Sequence, residues 1–292
     1  MITLINAPSI LGLRPTGVEL LPSVLHQAGL IEKLSIQTIE NIPSLLYQAE
    51  RDRKTDMLNP RAIAEYSVTL ADAVEKALRA DTFPLVLGGD CSIVLGNMLA
   101  LKRRSRYGLF FLDGHADFYQ PSASQTGEAA DMDLALVSGR GPAIITDIER
   151  QKPFVQDEDI VQFGQRDREE TIEEGSQQIA DTSISVFELD TIRRVGIEKS
   201  AYQALDLLLT RPIEGFWIHI DADVIHDKEM PAVDYRLPGG LTFEELGSVL
   251  GILFGSNQVV GLSLSIYNPK LDPQHVIAFK LVDLLASILK AK

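Results

Sequence analysis

Short apolar runs of strand length alternating with longer stretches of helical periodicity predict an α/β protein, built as a three-layer α/β/α sandwich around a mostly parallel sheet. The runs are rich in β-branched and aromatic residues, and the segments between them repeat apolar residues at helical spacing. Such alternation implies right-handed crossovers and a sheet covered on both faces. The composition is that of a globular protein, with 45% of the 292 residues hydrophobic and 23% charged. No internal repeat or low-complexity linker divides it. A single domain over residues 1–292 is therefore expected.

In chain order, residues 2–5 read as the first strand. Residues 61–79 follow with a helical pattern, then a strand at 84–87 and a helix at 92–102. A strand at 109–112 leads into residues 113–133, where few strong apolar positions and several small residues indicate a long functional loop. Residues 151–178 are polar and acidic and read as an exposed excursion around one short strand. A helix at 202–209, strands at 216–220 and 259–264, and a helix at 243–253 complete the pattern, with Thr242 and Glu245 in position for a capping box. Lys280 and Asp283 interrupt the most apolar late stretch, 276–289, so no run of ~18 apolar residues exists to span a bilayer.

The net charge of −14 argues against nucleic acid and anionic membrane surfaces as partners, because the field of the protein repels them. One cysteine, Cys91, allows no internal disulfide, and no opening stretch has the features of a signal peptide. A reducing cytoplasm is the expected location.

In a sheet of this kind ligands collect beyond the carboxyl ends of the strands, and polar clusters stand there. Gly88-Gly89-Asp90-Cys91-Ser92 follows the strand at 84–87; its glycines permit a tight turn and leave Cys91 near a helix start, although a lone cysteine also reads as a small core residue. Asp113-Gly114-His115-Ala116-Asp117 follows the strand at 109–112. There Asp113, His115 and Asp117 share one side of an extended segment and suit a divalent metal, a solvated acidic turn being the alternative. His219-Ile220-Asp221-Ala222-Asp223 ends another strand, and carboxylates packed so closely raise one another's pKa unless cations neutralise them. Together these ligands suffice for a binuclear centre, in which metals ~3.5–4 Å apart share one hydroxide and present it as a nucleophile. Hydrolysis is the natural reaction class.

These residues resemble the ureohydrolase family of arginase, agmatinase and formiminoglutamase. The family motifs run approximately Gly-Gly-Asp-His-Ser, Asp-Ala-His-x-Asp and Ser-x-Asp-x-Asp followed by Pro-Gly-Gly-Leu. Here they read GGDCS at 88–92, DGHAD at 113–117, HIDAD at 219–223 and PGGL at 238–241. The opening residues Asn6-Ala7-Pro8 and Arg14-Pro15-Thr16-Gly17-Val18-Glu19, and Tyr267-Asn268-Pro269 near the end, extend the similarity to nearly the whole chain. The resemblance implies that Asp113 and Asp221 bridge two manganese ions and act in catalysis. It further implies that one ion adds Asp117 and residue 91, and the other His115 and Asp223. Cys91 stands where the family has histidine, and its softer thiolate favours Zn²⁺ or Fe²⁺. A homo-oligomer, trimer or hexamer, is also implied.

Other departures bear on the substrate. The family loop Ser-Gly-Asn-x-His-Gly corresponds to residues 126–131, so that its histidine becomes Ala130 and its asparagine Glu128. The pattern Asp-x-x-Glu-Val-Asn-Pro becomes Ser263-Leu264-Ser265-Ile266-Tyr267-Asn268-Pro269, and the glutamate that pairs with guanidinium is Ile266. Glu128, Asp131 and Asp133 are candidates to meet a cationic substrate from another direction, or else form a solvated rim. Tyr235 and Arg236 are candidates for a substrate carboxylate, with an ion pair from Arg236 to an acidic neighbour as the alternative. The expected protein is a metal-dependent hydrolase cleaving a linear C–N bond in a small amidine, guanidine or formimino-type molecule other than L-arginine. The alternative is a catalytically impaired binding or regulatory protein on the same fold. A nucleotide enzyme is disfavoured, since no GxGxxG or P-loop follows the first strand.

Overall fold

The computed structural model describes residues 1–290. Eight strands make one sheet: β1 (Ile2–Ala7), β2 (Thr38–Asn41), β3 (Phe83–Gly88), β4 (Gly108–Leu112), β5 (Ile160–Phe163), β6 (Ser185–Phe187), β7 (Phe216–Asp221) and β8 (Val259–Ser265). Their order is β2-β1-β3-β8-β7-β4-β5-β6, and every pairing is parallel.

Alternation along each strand sends side chains to two cores. Leu4, Leu85, Leu87, Phe110, Leu112 and Ile218 face helices Leu21–Gln27, Ile197–Leu209, Phe243–Gly255 and Val276–Leu289. Ile5, Val86, Leu109, Phe111 and Trp217 face helices Pro60–Arg79 and Ile93–Lys102 on the other side. These layers are the α/β/α sandwich the alternating pattern predicts. Each strand run read from the sequence lies within an observed strand. The capping box forms in full: the Thr242 hydroxyl accepts from the Glu245 amide and the Glu245 carboxylate accepts from the Thr242 amide.

Some elements differ from the sequence reading. β2 and β6 lie at the sheet edges, where they are partly exposed and too polar or short to stand out. The excursion at 151–178 encloses one short strand as expected, β5, but that strand is fully buried between β4 and β6. The helix expected at 202–209 begins earlier, at Ile197, because its first turn is largely polar. No helix among the described residues is long and apolar enough to cross a membrane.

β3, β8, β7 and β4 are consecutive at the middle of the sheet, so their carboxyl ends meet in one place. Gly89 allows the turn after β3 to pass tightly against the end of β1: a Cβ there would lie 1.8 Å from the Ser9 carbonyl oxygen. Its own carbonyl accepts from the Ile266 amide, tying β8 to the same turn.

Candidate metal centre

Asp113 is the first residue beyond β4, and its amide extends the ladder to the Phe163 carbonyl. One carboxylate oxygen, Oδ1, accepts from the His115 amide at 2.7 Å, while Oδ2 is buried and accepts nothing. His115 reaches across to β7, its Nδ1 lying 2.9 Å from Asp223 Oδ2. The other Asp223 oxygen accepts from the Gly114 amide, and the Asp223 amide donates to Asp221 Oδ1. Two strand ends are thereby locked together through these side chains. From β3, Cys91 approaches with its thiol 3.8 Å from the Ala130 carbonyl.

The donors gather in two groups, in each of which one ligand atom per residue lies within 4.8 Å of the others. Asp113, His115 and Asp223 form one, and Cys91, Asp117 and Asp133 form the other. Asp221 lines the same cleft.

The electrostatics follow from crowding. Burial, then repulsion from Asp223, raises Asp113 to about 7. Burial and neighbouring carboxylates also push Asp117, Asp133 and Asp221 well above the carboxylate range. Burial and the same negative field hold Cys91 as a thiol. For His115, burial disfavours the imidazolium, but Asp223 and Asp113 more than offset it and the pKa rises. Burial would likewise raise Asp223, yet His115 and Arg166 bring it down. The centre thus holds more buried anionic donors than its own cations neutralise, and divalent ions fit that donor set.

Supporting residues come from the β5 region. Gln162 donates to the carbonyls of Asp113 and His115, and Asp167 accepts from the Ala116 amide. Arg166 donates to the Asp223 carbonyl at 2.7 Å and lies flat against Gly114, where a Cβ would stand 2.2 Å from its Nη1. None of these three is evident from the sequence, because each acts across a long chain separation from within a polar segment. The available signal was the apolar pair Ile160-Val161 opening a buried strand.

A cleft of about 250 Å³ opens over the centre. Asp117, Glu128, Asp131, Asp167, Glu170 and Glu174 are among its lining residues, and no lysine or arginine is found there among the described residues. Glu128 is 2% exposed; it accepts from the Tyr235 hydroxyl at 3.1 Å and lies 3.4 Å from the Arg14 guanidinium. Asp131 accepts from Ser124 and Thr126, and burial lifts its carboxyl to about 7. Glu128, Asp131 and Tyr235 therefore meet in the cleft. Arg236 is not part of its lining; it donates to the Asp227 carbonyl and lies 3.6 Å from the Asp227 carboxylate.

A family model described as "Arginase family" matches residues 2–290. The chain belongs to the arginase family. Arginase of Staphylococcus aureus (strain COL) is 28% identical over 98% of this chain and 96% of that protein. Arginase of Bacillus caldovelox is 29% identical, covering 100% of this chain and 98% of its own. Among solved structures, arginase from Bacillus cereus superposes with a TM-score of 0.86 at 25% identity, covering 99% of this chain and 98% of that one. Within this arginase-family fold the departures noted in the motifs converge: Cys91, Glu128, Ala130, Tyr235 and Ile266 all line the one cleft.

Proposed function

We propose that the protein is a metal-dependent hydrolase that cleaves a linear C–N bond in a small cationic amidine, guanidine or formimino-type substrate other than L-arginine. The observation that carries this reading is the contrast within one cleft. The wall has changed at Ala130 and Ile266, while the donors Asp113, His115, Asp117, Asp221 and Asp223 remain together around the floor.

Two divalent ions fit these donors. Asp113, Asp221, Cys91, Asp117, His115 and Asp223 would hold them. When bound, such a pair supplies Lewis acidity that lowers the pKa of water toward neutrality. Manganese is the family's metal, and the Cys91 thiolate favours Zn²⁺ or Fe²⁺ as alternatives. The chain's own residues do the rest. The acidic lining attracts a cation and disfavours an anion. Glu128, held by Tyr235 and partly neutralised by Arg14, and Asp131, held by two hydroxyls, are positioned to orient the positive end of the substrate. Ile266 offers no charge to a guanidinium, and losing a charged partner costs on the order of 2–5 kcal/mol in binding.

The test is hydrolysis of a panel of amidines, guanidines and formimino compounds, L-arginine included, with and without chelator. Turnover of a cationic member other than arginine, lost on chelation and in Asp221→Ala, is expected. Turnover that survives Asp221→Ala would refute the assignment. Ala130 cannot carry a proton, which favours a second reading as a catalytically impaired binding or regulatory protein; a panel with no substrate would select it.

A further inference from the structure

We infer that Asp133 is a metal ligand, joining Cys91 and Asp117 in a mixed thiolate and carboxylate site for one divalent ion of borderline softness, Zn²⁺, Co²⁺ or Fe²⁺. The inference rests on the metal-dependent reading above and adds a donor to it.

The geometry is the first ground. Ligand atoms of Cys91, Asp117 and Asp133 lie within 4.8 Å of one another, although they come from the turn after β3, the loop after β4 and the short helix Asp133–Val137. These segments are held in place by backbone contacts. The Ala135 amide donates to the Asp117 carbonyl, and the Ala130 amide donates to the Gly12 carbonyl.

The second ground is the state of Asp133 itself. It is fully buried, and no hydroxyl, side-chain amide or cationic group reaches its carboxylate, whose side-chain polar contact is the Asp117 carboxyl. Arg140, the arginine nearest in sequence, is paired with Asp157, and Arg51 donates to the Ser124 and Thr126 carbonyls. Leu134, Ala135, Leu136 and Val137 beside it are all buried, so the residue belongs to no solvated acidic rim. A buried carboxylate without a donor is costly unless a proton or a cation satisfies it. The side chains that face it are the Cys91 thiol and the Asp117 carboxyl, both of which give up a proton when they ligate a metal.

The chemistry is self-consistent. Cys91 has only a weak contact to the Ala130 carbonyl to lose. On metal uptake the S–H bond breaks, its electron pair forms the sulfur–metal bond, and the proton leaves to solvent. A thiolate with two carboxylates brings three negative charges to one dication, and the sulfur biases the choice away from Mg²⁺ and Mn²⁺. Cys91 and Asp133 thus act as one unit, a sulfur donor and an additional carboxylate meeting at the same ion.

Cobalt loading tests this. Full-length wild type, Asp133→Asn, Asp133→Ala and Cys91→Ser are titrated with Co²⁺ while the near-ultraviolet thiolate-to-Co²⁺ charge-transfer band is recorded. Ions per chain are counted after desalting, and circular dichroism verifies folding. The expected result is a band in wild type that is absent in Cys91→Ser. In both Asp133 variants it should form only at about tenfold or higher Co²⁺ concentration, with a shifted maximum, while an ion at Asp113, His115 and Asp223 is retained. A folded Asp133→Asn or Asp133→Ala with wild-type affinity and band position overturns the ligand role and leaves the hydrolase reading intact. A folded wild type that takes up no ion overturns both.

Discussion

Acidification should destabilise this protein through His219, a residue that binds no partner outside the core. The ring is buried, stacks on Phe111 with centroids 5.1 Å apart, and sits between two serines. Trp217 Nε1 can only donate, and it donates to Ser263 Oγ at 2.9 Å. Ser263 therefore keeps its own proton for His219 Nδ1, 2.8 Å away. That leaves the ring proton on Nε2, facing the Ser265 hydroxyl at 3.2 Å, which donates in turn to the Ile220 carbonyl. The network serves a neutral ring, and burial drives the pKa from 6.5 down to about 3. A depressed histidine contributes stability above its unfolded pKa and loses it as pH falls toward the folded value. From these two values the loss is about 2 kcal/mol at pH 5 and about 3 kcal/mol at pH 4. Urea unfolding of wild type and His219→Gln from pH 7.5 to 4 isolates the effect, because other titrating groups cancel in the difference. The difference in unfolding free energy should shrink by those amounts as pH falls; a flat difference across the range would falsify the argument.

Other expectations concern the cleft and the scaffold. Ile266 is a β-branched residue at φ 69°, so the unbranched side chain in Ile266→Glu suits that backbone better and returns a carboxylate to the cleft. Guanidinium compounds should bind at least about tenfold more tightly to it, and calorimetric titration with unchanged affinity would remove Ile266 from the recognition wall. Thr242→Ala breaks one arm of the capping box and should cost about 1 kcal/mol in thermal unfolding, with little change in metal content. Gly89→Ala drives a Cβ into the Ser9 carbonyl at 1.8 Å; displaced backbone there should weaken metal uptake at Cys91, read as ions retained after desalting, before global stability collapses.

The central strands were legible because a parallel sheet buried on both faces leaves near-continuous apolar runs such as Leu109 to Leu112. The edge strand Thr38–Asn41 carries the sequence TIEN, which has no such signature. Around the cleft, the acids and histidine placed just after apolar runs were legible as a cluster, and the fold brings them together. Asp133 was visible only as one more acid on a loop, since nothing local reveals that Cys91 and Asp117 stand beside it. The motif departures His219 and Ser263 look unrelated in sequence, 44 positions apart, yet their side chains share a 2.8 Å hydrogen bond. Arg166 and Gln162 act through backbone carbonyls, and a carbonyl acceptor leaves no mark on residue identity.

The Gln162 amide that clasps the Asp113 and His115 carbonyls has a mechanical meaning. Gln162 belongs to β5, whose outer neighbour is only the three-residue β6. Short, half-buried edges open more readily than the middle of a sheet. Peeling β6 and then β5 would unclasp the loop carrying Asp113, His115 and Asp117 while Asp221 and Asp223 stay anchored to the central β7. The loop after β4 is thus braced from a short margin of the sheet, whereas Asp221 and Asp223 are fixed at its middle. Ions would exchange through that margin, at a rate set by how often the edge opens.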